Sequence, residues 1–280
     1  MTKRIVGFSG GIDSQAVAGW VLNRYDKQDV VIVNTDAGGN EHPMTTEHIA
    51  WYSENVHPVN TIPAIVADMW EGEDQPEKHG FQPTDVLTFP LMSTIKGRFP
   101  SRRAQFCTEK LKLRPVRRWV QAQFPDGDYE YYAGVRRDES ERRKTTPFTE
   151  FDAFYDAYRH HPIADWTKRM CFDFIKSRGE QINPLYTLGF NRVGCAPCIN
   201  SSKDDVLNWL RRFPEMIDKV RGWEQQVGRT YFAPIVPGME INFIDDIVRW
   251  SQTSRGGRQV DLLRVVNDPP SCESQYGLCE

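Results

Sequence analysis

The stretch Ser9-Gly10-Gly11-Ile12-Asp13-Ser14 constrains the fold more than any other, because it sits between the apolar run Ile5-Val6-Gly7-Phe8 and a helical pattern over residues 15–25. A strand ends and a helix begins within a few residues. Two glycines let the backbone turn its N–H groups inward, two serines add hydroxyl donors, and the helix start adds partial positive charge, so the loop suits a phosphate group. No Gly-Lys-Ser or Gly-Lys-Thr follows the glycines, so the loop is not of the Walker type, and its spacing is not the dinucleotide Gly-x-Gly-x-x-Gly. The plainer alternative is a tight Gly-Gly turn between the two elements.

After the helix, Val30-Val31-Ile32-Val33 reads as a buried strand. A parallel pair joined by a right-handed helical crossover is expected, with ligands collecting at the carboxyl ends of the strands. Asn34-Thr35-Asp36 falls at that edge; Asp36 alone reads equally as a polar turn before Gly38-Gly39. A helix follows from His42 through Val56, with Thr45 or Thr46 as its cap, and residues 59–66 supply a third strand. Periodicity is then lost over residues 67–100, which carry Pro76, Pro83 and Pro90 and read as an excursion lying over the site like a lid. Residues 129–134 form an aromatic strand ending in Gly134-Val135-Arg136-Arg137, whose arginines suit bidentate binding of phosphate or sulfate oxygens. Arg142, Arg143 and Lys144 read as a solvated face. The fold class is α/β, a parallel sheet flanked by helices. Residues 1–200 form the nucleotide-binding domain, and residues 201–280 form a helical C-terminal part with helices over 203–213, 215–227 and 243–251.

With 280 residues, 39% of them hydrophobic, the chain can bury a sizeable core, and a net charge of -3 gives no global basic character. No apolar run is long enough to span a bilayer, and Met1-Thr2-Lys3-Arg4 leads straight into a strand, so a cytoplasmic protein with no membrane partner is expected. In a reducing compartment the six cysteines ligate metal, react or sit buried. Cys195-Ala196-Pro197-Cys198 places two thiolates close enough to share one metal or cluster edge, or to act as a redox dithiol. Cys171, on an apolar helix face, reads as core. The tail ends with Cys272 after a rigid Pro269-Pro270 and with Cys279 at the penultimate position.

Four segments between Phe8 and Cys198 together resemble the N-type ATP pyrophosphatases and the phosphoadenylyl-sulfate (PAPS) reductases, families of the adenine nucleotide alpha hydrolase-like, Rossmann-like fold. The resemblance implies an adenine nucleotide, ATP or PAPS, lying across the carboxyl edge of the sheet. Ser9, Gly10, Gly11, Asp13, Ser14, Asp36, Gly134, Arg136 and Arg137 are then its nucleotide-binding residues, with Asp13 assisting a magnesium ion. Cys107 falls where the reductases carry two adjacent cysteines; Thr108 replaces the second. Cys107, Cys195, Cys198 and Cys272 make the four ligands that a 4Fe–4S iron–sulfur cluster or a structural zinc needs, and Cys279 is the analogue of the reductases' mobile nucleophile. Three activities stay open. One is an ATP pyrophosphatase driving sulfur transfer, as in DNA phosphorothioation, with a cysteine desulfurase as sulfur donor and nucleic acid as acceptor. Another is a reductase that releases sulfite and is recycled by thioredoxin. The third is a nucleotide- and cluster-binding module without catalysis.

Overall fold

The computed structural model describes residues 2–70, 76–232 and 242–253. Strand β1 (Lys3–Gly7) carries Ile5 and Val6, both fully buried and pointing to opposite faces, which makes it a central strand. It pairs in parallel with β2 (Val30–Thr35) on one side and with β4 (Tyr129–Tyr132) on the other. With β3 (Val59–Ile62), β5 (Thr149–Asp152) and β6 (Ala157–His160) the six-stranded order is β3-β2-β1-β4-β6-β5. The chain moves outward from β1 to β3 and then crosses back to β4 beside β1. Such a reversal opens a crevice at the carboxyl ends of the strands. Helix α1 (Ile12–Leu22) begins there, directly after β1.

The expected α/β sheet is present, and all its pairings but one are parallel. The β5–β6 hairpin is antiparallel, and its strand pattern went unread in the sequence. Its buried face carries Arg159 between Asp152 and Glu150, so polar residues occupy the positions where a strand pattern shows apolar ones. Strand β3 stops at Ile62, ahead of Pro63, whose ring and missing N–H end the ladder, and Val66–Met69 coils into a 3₁₀ turn. Helix α2 (Pro43–Asn55) takes His42 as its cap, Nδ1 accepting from the Met44 amide at 3.2 Å, instead of Thr45 or Thr46. Proline at the first helical position moves the start forward, because its fixed φ already suits a helix.

Helices cover both faces of the sheet. Val6, Phe8, Val17, Tyr52 and Ile175 belong to one buried layer, which takes in α1, α2 and α6 (Lys168–Ser177). Ile5, Val33, Val116, Val120 and Tyr131 belong to the other, under α5 (Arg114–Gln123), which is reached through α4 (Phe106–Thr108) and a π-helical turn at Glu109–Leu113. A third core joins α3 (Phe89–Ile95) to the helical C-terminal part: Met92, Leu111, Leu185, Trp209, Val220 and Ile247 meet across α7 (Lys203–Arg212), α8 (Pro214–Val227) and α9 (Ile244–Ser251). Residues 87–99 are thus packed structure and not a loose cover, since Leu87 and Met92 are fully buried. Cys171 is core, as its apolar helix face implies. Arg143 is buried against Glu139 and does not belong to a solvated face, whereas Lys144 stays exposed.

Candidate functional site

The loop at the carboxyl end of β1 closes on itself. Ser14 Oγ accepts from the Ser9 amide at 3.1 Å and donates to the Gly11 carbonyl at 2.9 Å, and the two serine hydroxyls lie 3.2 Å apart. Gly10 has φ +75, and a Cβ there would come within 3.1 Å of Thr45 Cγ2 and 3.2 Å of Ile49, so glycine is required both for the turn and for the approach of α2. Gly11 stands at the N-cap of α1 and supplies no side-chain cap, which leaves the first-turn amides to other acceptors.

Two distant segments fasten this loop. Gly134, just past β4, lies so close that a Cβ would sit 2.7 Å from the Asp13 carbonyl carbon and 2.8 Å from the Ser14 nitrogen. Two residues on, Arg136 Nε donates to Asp13 Oδ2 at 2.6 Å in a pair with almost no solvent exposure, and its Nη1 bonds Asp138. Asp13 thus faces a guanidinium inside the fold. The second segment, Asn183 to Tyr186, sends Asn183 Nδ2 to the Gly10 carbonyl at 3.2 Å and places the Tyr186 hydroxyl 3.2 Å from the Ile12 amide, which donates to it. Gln15, next on α1, bonds His48 at 3.1 Å and the Glu180 carboxylate at 3.1 Å. Burial holds the His48 imidazole down at a pKa of about 4.

Beside the loop a cleft of about 580 Å³ runs between the ends of β2 and β3 and the start of α2, lined among others by Asn34, Asp36, Glu41, Glu47, Ile49 and Thr61. Ile49 is shared with the underside of Gly10, so cleft and loop adjoin. Asp36 serves both readings of its position: Oδ1 accepts from the Gly38 amide at 2.9 Å in a local turn, and the residue lines the cleft. Glu41 is pushed up to about 7, first by burial and then by Asp36, against the opposing pull of Lys112. Arg137 points elsewhere, bonding Asp165 and the Thr146 carbonyl and covering the Phe148 ring.

The residues after β2 also reach the cysteines. Glu41 pairs with Cys195 in an antiparallel bridge, and the Ala196 amide donates to the Asn40 carbonyl at 2.8 Å. The Tyr231 hydroxyl donates to the Pro197 carbonyl at 2.5 Å and is fully buried; burial first, then the nearby Cys198, Cys195 and Cys107, raises its pKa. The charges of Cys107, Cys195 and Cys198 are thus all felt at one tyrosine. Among the described residues no three His, Cys, Asp or Glu side chains stand at metal-ligand spacing. Cys272 and Cys279 lie outside the described residues. Sequence reasoning missed Asn183, Tyr186, His48 and Glu41. The Asn-Pro pair at 183–184 does signal a turn, but nothing local names the loop to which the turn bonds.

A parallel sheet with a phosphate-type loop at the switch point defines a nucleotide-binding α/β protein. The model of the phosphoadenosine phosphosulfate reductase domain matches residues 3–201, and the chain belongs to that family. It is an adenine-nucleotide-binding member of an enzyme family. An uncharacterized 37.8 kDa protein of Escherichia phage 186 is 31% identical over 327 aligned residues, covering 100% of this chain and 97% of the phage protein. The adenosine 5'-phosphosulfate reductase of Rhizobium meliloti is 30% identical over 120 residues, 42% of this chain and 43% of the reductase, so the match spans less than half of that enzyme. A PAPS reductase from Candida auris, solved as a phosphate complex, aligns with a TM-score of 0.48 at 14% identity over 71% of this chain and 83% of that one. Among the described residues no helix is long and apolar enough to cross a membrane.

Proposed function

We propose that this chain cleaves ATP between the α- and β-phosphates, giving AMP and pyrophosphate, to activate an acceptor for sulfur transfer. The observation that carries the reading is the loop 9–14, closed by its own serines and by Gly10 in the left-handed region, with Ile49 shared between Gly10 and the neighbouring cleft. Inward amides and the start of α1 offer preorganised donors to a leaving pyrophosphate, and such groups are worth most where charge develops in the transition state. The cleft would take the adenosine, with Asp36 at its wall. Asp13 and Arg136 hold the loop's shape through their buried pair, and Gly134 lets β4 approach it. A cysteine desulfurase as sulfur source and nucleic acid as acceptor fit this reading, and magnesium would screen the phosphates. A cluster or zinc on Cys107, Cys195, Cys198 and Cys272 would fit beside it.

A second reading, favoured by the relatives named adenosine 5'-phosphosulfate reductase, is reductive release of sulfite from an adenylyl sulfate, with Cys279 as nucleophile and thioredoxin as reductant. Product analysis separates the two. Protein purified without oxygen is incubated with ATP and magnesium, or with adenylyl sulfate or PAPS plus reduced thioredoxin. Pyrophosphate and AMP from ATP support the first reading. Sulfite from a sulfated nucleotide, with ATP intact, replaces it with the second. Retained nucleotide binding with neither product leaves a binding module.

A further inference from the structure

One face of β2 changes character where the strand leaves the core. Val30 and Ile32 are buried on it in the layer shared with α1 and α2, and Asn34, next in the alternation, puts a carboxamide where they have apolar groups. Asn34 is 4% exposed and lines the cleft of about 580 Å³ together with Ile49, Val59 and Thr61. Thr61 is its neighbour across the β2–β3 ladder. Among the described residues none hydrogen-bonds the Asn34 side chain. A carboxamide carries two donor hydrogens and an acceptor oxygen, and leaving them unmet in a buried position costs stability. These open bonds belong to the cleft wall.

We propose that Asn34 reads the base of the nucleotide: its Oδ1 accepts from the 6-amino group of adenine, and its Nδ2 donates to the ring nitrogen beside that group. The inference rests on the adenine-nucleotide part of the reading above. An adenine edge sets a donor next to an acceptor, and a carboxamide answers with two parallel hydrogen bonds. Among the described residues lining the cleft, Asn34 has the one side chain that sets an acceptor and a donor side by side in a plane. The carboxylates of Asp36, Glu41 and Glu47 line the same cleft, but an ionised carboxylate gives no hydrogen to a ring nitrogen. Ile49, Ala50 and Val59 add apolar surface for the faces of a base, and the volume falls within the range of about 300–1,000 Å³ usual for small-ligand sites. Strand β2 is paired on both sides, by β1 and by β3, so the amide is carried on a fixed backbone. Ile49 also lies against Gly10, which makes the base site the neighbour of the phosphate loop.

The test is a calorimetric titration of the full chain, without magnesium, with ATP, with purine riboside triphosphate, which lacks the 6-amino group, and with inorganic pyrophosphate. The unaltered chain should bind ATP about tenfold more tightly than the analogue, the size of one hydrogen bond. Asn34→Ala should bring that ratio close to one and leave the Kd of pyrophosphate unchanged. Asn34→Asp, which keeps the acceptor and loses the donor, should weaken both nucleotides about tenfold and preserve the preference for ATP; it also serves if the alanine variant does not fold. Equal binding of the two nucleotides by the unaltered chain, a ratio that survives Asn34→Ala, or a ratio lost in Asn34→Asp would each overturn the assignment while leaving the nucleotide reading in place. A side chain that only supports the fold would lower the ligand-free melting temperature and weaken pyrophosphate with the nucleotides at an unchanged ratio, which also refutes it. An unaltered chain that binds pyrophosphate but neither nucleotide, or none of the three probes, overturns the nucleotide reading and the assignment of Asn34 with it.

Discussion

The phosphate loop and the cysteine corner both form where the chain passes the carboxyl end of β2 or its neighbour β1, yet their parts relate differently. The loop's turn is made by bonds among residues 9–14, and distant segments then lock a shape that already exists. The corner depends more on distant partners: residues 40–41, 195–198 and Tyr231 bond one another across the chain. Damage at the loop should therefore be severe and steric or electrostatic. Damage at the corner should be milder and graded, because each bond there is one of several.

The largest expected effect is at Arg136→Met. Removing the guanidinium strips the fully buried Asp13 of its charge partner, which should cost about 3–5 kcal/mol in urea unfolding. A loss under 1 kcal/mol would mean that the loop is not locked through this pair. Next comes Gly134→Ala, whose methyl meets backbone at under 3 Å and should cost about 3 kcal/mol, since no side chain can step aside.

Acid should act on the loop side third. With His48 held at about 4 against an ordinary 6.5, the unfolded chain binds the proton more readily. Stability is therefore full above pH 6.5 and falls as the pH drops toward 4, by about 2 kcal/mol at pH 5. His161, also lowered to about 4 by burial, adds a slope of the same sign. His48→Gln, which keeps a donor for Gln15, should remove its share of the slope; an unchanged pH profile of the melting temperature would exclude His48 as a source.

The smallest effect belongs to the corner. Tyr231→Phe gives up the bond to Pro197 and should cost about 1 kcal/mol while speeding reaction of Cys195 and Cys198 with a thiol reagent. A cost matching that of Arg136→Met would erase the distinction between the two regions.

Local chemistry was enough to place the loop, the strand–helix–strand order, the buried Cys171 and the three C-terminal helices, because glycine turns, apolar periodicity and helix stops act over a few residues. Those same signals misplaced the α2 cap and the end of β3, where a single proline outweighed the wider pattern. The β5–β6 hairpin stayed hidden because buried ion pairs occupy its inner face. Residues close together in the chain thus encode a turn that suits a phosphate and the succession of elements around it. Long-range packing sets the rest: Arg136 pairs with Asp13 inside the fold, Asn183 and Tyr186 reach the loop, and Tyr231 feels the charges of Cys107, Cys195 and Cys198. Hydrogen bonds and ion pairs between residues more than 100 positions apart depend on how sheet and helices pack, and local sequence carries no record of that packing.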